Sequence, residues 1–181
     1  MSNGRRTMGN LLRISSAIDR FNARIGRMAS WVILASILIS AGNAIIRKAF
    51  GVSSNAWLEI QWWLFAAAFL FAAPWTLAIG EHIRIDIVND RLSQSARDRI
   101  DLVGHLAFLL PTALLIFVTS AAYFMTSWSQ NEQALNPGGL PQWPIKAVIP
   151  TAAALLLLQG VSEVIKRAFV MRKRRSEQRQ P

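Results

Sequence analysis

Four long apolar segments are the feature of this sequence that most limits its fold. They cover about residues 28–46, 58–79, 102–127 and 147–165, and short polar stretches separate them. Each is close to or longer than the ~20 residues that an α-helix needs to cross a hydrocarbon layer of ~30 Å. In lipid, a helix satisfies its own backbone hydrogen bonds without water. The sequence therefore predicts an all-α integral membrane protein with four transmembrane helices.

The composition supports lipid as the solvent for these segments. Of the 181 residues, 52% are hydrophobic and 17% are charged, whereas soluble domains have roughly 45–50% and about 25%. The net charge of +10 comes from basic residues at the ends of the apolar segments. They do not form one continuous face with interleaved aromatic residues, which argues against nucleic-acid binding. With no cysteine, the chain has no disulfide and no thiolate ligand.

The basic residues also predict the orientation in the membrane. With four crossings, the N-terminal region, the middle connection and the C-terminal tail lie on one side. Of the 20 Lys and Arg residues, only Arg47, Lys48 and Lys146 fall on the other side. The positive-inside rule assigns the more basic side to the cytoplasm. We therefore expect both termini in the cytoplasm.

Residues 1–27 precede the first crossing and carry a helical pattern of their own. Apolar residues recur at steps of three and four, which predicts an amphipathic helix in the headgroup layer. The alternative is a simple orientation signal that leads into the first crossing. The tail, residues 168–181, is basic and without periodicity, as is typical of a disordered end. On the amphipathic helix, the arginines expected to contact anionic lipid headgroups are Arg13, Arg20, Arg24 and Arg27.

Motifs for catalysis or cofactor binding are missing from the sequence. There is no glycine-rich phosphate loop, no Ser/His/Asp set and no carboxylate–histidine metal spacing. We therefore predict no enzyme activity, no cofactor and no metal site. The two histidines, His82 and His105, raise the alternative of a haem-binding cytochrome or anchor subunit, although a structural role at the membrane interface is the simpler interpretation. A free-standing small channel or exporter is a further alternative.

Charged residues at the ends of the first two crossings predict a structural contact. Arg47 closes the first segment, and Glu59, with Gln61, opens the second on the same side. Because a charge in the membrane needs a partner, a helical hairpin predicts an ion pair between Arg47 and Glu59. An ion-relay role and contact with a partner chain remain open as alternatives.

Short motifs at the ends of the crossings follow one another in a characteristic order. An arginine closes the first crossing, a glutamate opens the second, and a His-x-Arg-x-Asp segment follows it. A Gly-x-Pro turn and a further proline mark the last crossing. Together, over about residues 28–167, these motifs resemble the small, DctQ-type membrane subunit of tripartite ATP-independent periplasmic (TRAP) transporters. The candidate structural or subunit-interface residues are Arg47, Glu59, Gln61, His82, Arg84, Asp86, Pro141 and Pro150.

The resemblance implies a scaffold within a three-component transporter of the bacterial inner membrane. A large membrane subunit would transport an organic acid with sodium ions, and a periplasmic binding protein would deliver the substrate. No residue of this chain selects among organic acids. The sequence also has no broken helix pair and no inverted repeat, which are features of transporters that act alone. An accessory subunit fits these observations better than a lone transporter.

Overall fold

The computed structural model describes residues 2–52, 54–80 and 93–177. Within these ranges, four helical stretches are long and apolar enough to cross a membrane, which confirms the predicted all-α fold with four such helices. The helices are α1 (Ser2–Phe50), α2 (Asn55–Ile79), α3 (Gln94–Gly104), α4 (Leu110–Ser129) and α5 (Trp143–Glu177). A π-helical turn, His105–Leu109, joins α3 to α4.

The helix α1 is continuous over 49 residues, without a break between the predicted amphipathic segment and the first crossing. Gly26 lies against Trp75, about one turn before α2 ends, since an added Cβ on Gly26 would be 2.6 Å from Trp75 Cβ. The first turns of α1 therefore continue past the end of α2. There they pack against α5 through Ser15 and Asn22. The position of this segment in the headgroup layer stays a prediction.

The buried face of α1 is a stripe of small and polar residues. Seven residues make about two helical turns, so side chains at this spacing lie in one line along the helix. Such residues let neighbouring helices approach closely in a membrane. Outside this line, the first half of α1 exposes the apolar residues Leu11, Ile14 and Phe21 and also the four arginines Arg13, Arg20, Arg24 and Arg27. The members of the stripe are Ser15, Asn22, Ala29, Ser36 and Asn43.

The central helix of the bundle is α5, which packs against α1, α2 and α4. An added Cβ on Gly160 of α5 would lie 2.9 Å from Leu110, so α4 rests directly on the α5 backbone. The helix α4 packs chiefly on α5 and leaves a broad apolar face exposed. The small residues Ala152 and Ala153 are buried in the first half of α5.

Three prolines lie within the apolar segments without ending the helices. Pro74 lies inside α2, and Pro150 lies inside α5. Pro111 follows the π-helical turn, in which the Leu110 amide donates to the His105 carbonyl. The wider turn changes the hydrogen-bond register just before Pro111, which has no amide hydrogen to donate to the helix.

Candidate functional site

A folded loop, residues 130–142, connects α4 to α5 at the end of the bundle where α2 begins. We call this end the loop end, and the opposite end, where α5 finishes, the tail end. An isolated antiparallel bridge pairs Gln133 with Pro141. The Gln142 amide donates to the Glu132 carbonyl at 2.8 Å, so the two arms of the loop are held together.

The first turns of α2 bind this loop through two side chains. Glu59 Oε2 accepts a hydrogen bond from the Leu140 amide at 2.7 Å. Asn55 Nδ2 donates to the Pro137 carbonyl at 2.9 Å. Gly139 packs so closely that an added Cβ would be 2.8 Å from Glu59 Oε1. Glu59 and Pro141 therefore both contribute to the folded loop, the first from α2 and the second from within it.

The ion pair predicted between Arg47 and Glu59 is not formed. Arg47 is exposed near the end of α1 and belongs to none of the ion pairs that the structure describes. The prediction considered only the hairpin of α1 and α2. It was wrong because a backbone amide 81 residues further along the chain binds the Glu59 carboxylate instead.

A second set of contacts fixes the loop to α4 and α5. Lys146 in the first turn of α5 forms an ion pair with Glu132 of the loop. Lys146 Nζ also lies 3.9 Å from the centre of the Tyr123 ring, at which distance a cation is attracted to the aromatic face. The rings of Trp128 and Trp143 meet edge to face, with 4.5 Å between their centres. The hydrogen bond from Lys146 holds the pKa of Glu132 below its ordinary value.

At the tail end, a buried polar network joins α1 to α5. The hydroxyl oxygens of Ser15 and Ser162 are 2.6 Å apart. Asn22 Nδ2 donates to Gln159 Oε1 at 2.8 Å, and Gln159 Nε2 donates to Asp19 Oδ1 at 2.8 Å. Gln159 and Ser162 are both 0% exposed. Because the contacts lie at successive turns of both helices, they specify one register of α1 against α5.

Asp19 links this network to the charged residues of α5. It accepts hydrogen bonds from Ser162 Oγ at 2.8 Å and from Lys166 Nζ at 3.0 Å. Lys166 also pairs with Glu163, so one cation lies between two carboxylates. Sequence reasoning missed this cluster. The available signal was that Gln159, Ser162 and Glu163 interrupt the fourth apolar segment at steps of three and four, which places them on one helix face.

A separate group of ion pairs joins α3 to α5 at the tail end. Asp98 is only 1% exposed. It accepts from Arg174 Nη1 at 2.7 Å and from Arg167 Nη1 at 3.4 Å. Arg167 Nη2 in turn lies 3.0 Å from Asp101 Oδ2. The end of α5 is therefore tied by charge to both α1 and α3.

An apolar groove of about 330 Å³ lies between α1 and α2 at the loop end. Its lining includes Leu38, Gly42, Ile46 and Trp57. Asn43 also lines the groove, and its side-chain amide has no hydrogen bond within the part of the chain that the structure describes. The exposed side chain of Arg47 follows one helical turn later.

Most of the remaining predicted residues lie within the described ranges, and three do not. The four arginines proposed for lipid headgroups are all exposed on α1. The Gln61 carbonyl accepts a hydrogen bond from Ser36 Oγ at 3.1 Å. His105 Nδ1 contacts the Asp101 carbonyl. Among the described residues, no three His, Cys, Asp or Glu residues could together hold a metal ion. The predicted residues that lie outside the described ranges are His82, Arg84 and Asp86.

Comparison with known proteins finds one family. A family model described as "Tripartite ATP-independent periplasmic transporters, DctQ component" matches residues 36–170. The match runs from the second half of α1 to the last turns of α5 and covers well over half of the chain. Comparisons with curated proteins and with solved structures gave no match.

Proposed function

Because this chain belongs to the family of DctQ components of tripartite ATP-independent periplasmic transporters, we propose that it is the small, scaffolding membrane subunit of such a transporter. It supports a large membrane subunit that imports an organic acid with sodium ions. A periplasmic binding protein delivers the substrate to the two membrane subunits. The family match over residues 36–170 is the observation that carries this proposal.

The internal contacts of the chain suit a fixed support. In the residues that the structure describes, the polar clusters lie at the loop end and the tail end, and each one joins a helix to another helix or to the folded loop. Between them, α5 presents alanines to its neighbours, and small residues favour close helix packing in lipid. A scaffold of this kind needs no catalytic group and no cofactor.

We further propose that the groove between α1 and α2 receives a helix of the large subunit. A polar side chain within a membrane-crossing helix is costly unless it finds a hydrogen-bonding partner, and Asn43 has none in the described part of its own chain. A partner helix with a polar side chain beside Asn43 and an acidic one beside Arg47 would meet both needs. Arg47 is thus assigned to the subunit interface, and Glu59 and Pro141 to the folded loop.

The proposed roles of the other candidate residues follow from their positions in the chain. Pro150 serves the packing of α5, and Gln61 contributes its carbonyl to the contact between α1 and α2. His82, Arg84 and Asp86 stay interface candidates on the family pattern alone. Arg13, Arg20, Arg24 and Arg27 face the anionic headgroups of the bacterial inner membrane, with both termini in the cytoplasm.

Reconstitution tests the scaffold assignment. Liposomes that contain the small and large subunits, supplied with binding protein, substrate and a sodium gradient, should accumulate the substrate. Liposomes with this chain alone should accumulate none under the same conditions. Uptake by the chain alone would support the free-standing exporter instead, and a haem absorbance band in the purified chain would support the cytochrome alternative.

A further inference from the structure

We propose that a basic pocket between α3 and α5 binds an anionic phospholipid. The pocket has a volume of about 670 Å³ and lies at the tail end of the bundle. This inference does not depend on the transporter assignment, and the site is separate from the arginines on α1. Its lining includes Asp98, Arg99, Leu102, Met171, Arg172 and Arg174.

The charges that line the pocket leave a positive excess. The acidic residue in the lining is Asp98, and its carboxylate already accepts hydrogen bonds from Arg167 and Arg174. Arg99 and Arg172 are exposed, and the structure describes no ion pair for either of them. Guanidinium groups bind phosphate with paired, charge-assisted hydrogen bonds. The pocket is therefore suited to a phosphate group.

The apolar part of the lining distinguishes a lipid from a free phosphate. Leu102 begins the third apolar segment, and Met171 and Ala168 lie opposite it on α5. The arginines and these apolar residues thus meet at the boundary between the hydrocarbon and the headgroup layer, which is roughly 5–8 Å thick on each side. Free phosphate would use only the arginines, whereas a phospholipid would also place its acyl chains along Leu102 and Met171. Basic pockets between membrane helices are known sites for anionic headgroups.

Native mass spectrometry of the purified full-length chain tests this inference. The probes are phosphatidylglycerol, cardiolipin, zwitterionic phosphatidylcholine and inorganic phosphate. The wild-type chain should retain the two anionic lipids and release phosphatidylcholine. The double variant Arg99→Gln/Arg172→Gln should bind the anionic lipids about tenfold more weakly, as expected for the loss of charge-assisted hydrogen bonds. The variant should keep its helicity and its melting temperature, because neither arginine has a described partner within the chain.

The control variant Arg47→Gln/Lys48→Gln removes the same charge at the loop end and should bind anionic lipid as the wild type does. Equally weakened lipid binding in both variants would show general attraction to positive charge and would reject the pocket as a specific lipid site. Another outcome is that millimolar inorganic phosphate displaces the lipid and remains bound in its place. That result would show that the arginines bind a free anion, and it would reject a phospholipid as the ligand. Unchanged binding by a folded Arg99→Gln/Arg172→Gln variant would also reject the site.

Discussion

Gln159 of α5 donates a hydrogen bond of 2.8 Å to Asp19 of α1, across 140 residues of sequence. The same amide group also donates to Glu163, and its oxygen accepts from Asn22. One buried side chain therefore connects three polar partners on two helices. The network holds the first half of α1, which extends past α2, against the central helix.

Replacing Gln159 with leucine should destabilise this contact. The substitution leaves Asn22 and Asp19 short of partners in a buried site, and we expect a loss of about 1–2 kcal/mol, in the range of hydrogen bonds between membrane helices. The measurement is the free energy of unfolding of the purified chain in mild detergent. Gln61→Leu is the matched control, because only the backbone carbonyl of Gln61 has a described hydrogen bond. Equal losses in both variants would contradict the network's role.

Glu59→Leu should release the loop without involving Arg47. The variant removes the acceptor for the Leu140 amide, so hydrogen exchange at this amide should become faster by about tenfold, which corresponds to roughly 1.4 kcal/mol. Arg47→Leu should leave the exchange rate unchanged. In the double variant Arg47→Leu/Glu59→Leu, the rate should match that of Glu59→Leu alone. A slower exchange rate in the double variant than in Glu59→Leu would instead support an ion pair between Arg47 and Glu59.

The contact between the loop and α5 should weaken in acid. Since Lys146 lowers the pKa of Glu132 from the usual 4.5, the folded state favours the ionised carboxylate. The stabilisation is complete above about pH 5 and is lost as the pH falls through the lowered pKa. The fluorescence of the edge-to-face pair Trp128 and Trp143 should report this change between pH 6 and 3. Glu132→Gln should remove that pH dependence, and an identical titration in this variant would exclude Glu132 as its source.

Asn43→Leu and Arg47→Leu should reduce assembly with the large subunit while leaving the isolated chain folded. Neither side chain has a described polar partner in its own chain, so their loss should cost about 1–2 kcal/mol in association only. The measurement is co-purification of the large subunit at equal expression. Thr119→Leu on the exposed face of α4 is the control, since its hydroxyl bonds only to carbonyls of its own helix. If only Thr119→Leu reduced co-purification, the interface with the large subunit would lie on α4 instead.

Reporter fusions test the orientation. Fusions near Ser95 and after Gln178 should report a cytoplasmic location, and a fusion near Asn136 in the loop should report a periplasmic one. The distribution of basic residues is the reason for this expectation. A periplasmic reporter after Gln178 would reverse the assignment.

The crossings could be predicted because length and hydropathy alone specify a helix in lipid. The second segment illustrates this, with a predicted end at residue 79 and α2 ending at Ile79. The helices are longer than the apolar segments, because a helix continues into the headgroup layer and beyond when packing supports it. The apolar pattern of α1 gave no sign that Ser15 and Asn22 form its buried face.

Partners were harder to predict than helices. Glu59 was expected to pair with a charged side chain, but it binds a backbone amide, which has no signature in the sequence. Asp19 and Gln159 meet only when α1 and α5 adopt one register, and that register depends on the packing of the whole bundle. The family motifs indicated the positions of Arg47 and Glu59 without indicating their contacts.

The helix α1 is continuous from end to end. Its 49 residues span about 73 Å at 1.5 Å per residue, more than twice the ~30 Å of the hydrocarbon layer. A tilt of about 10° around its middle would displace each tip by roughly 6 Å in opposite directions. The tail-end network around Asp19 and the groove around Asn43 lie on either side of that middle. If α1 moves as one body, a displacement at one of them is accompanied by an opposite displacement at the other.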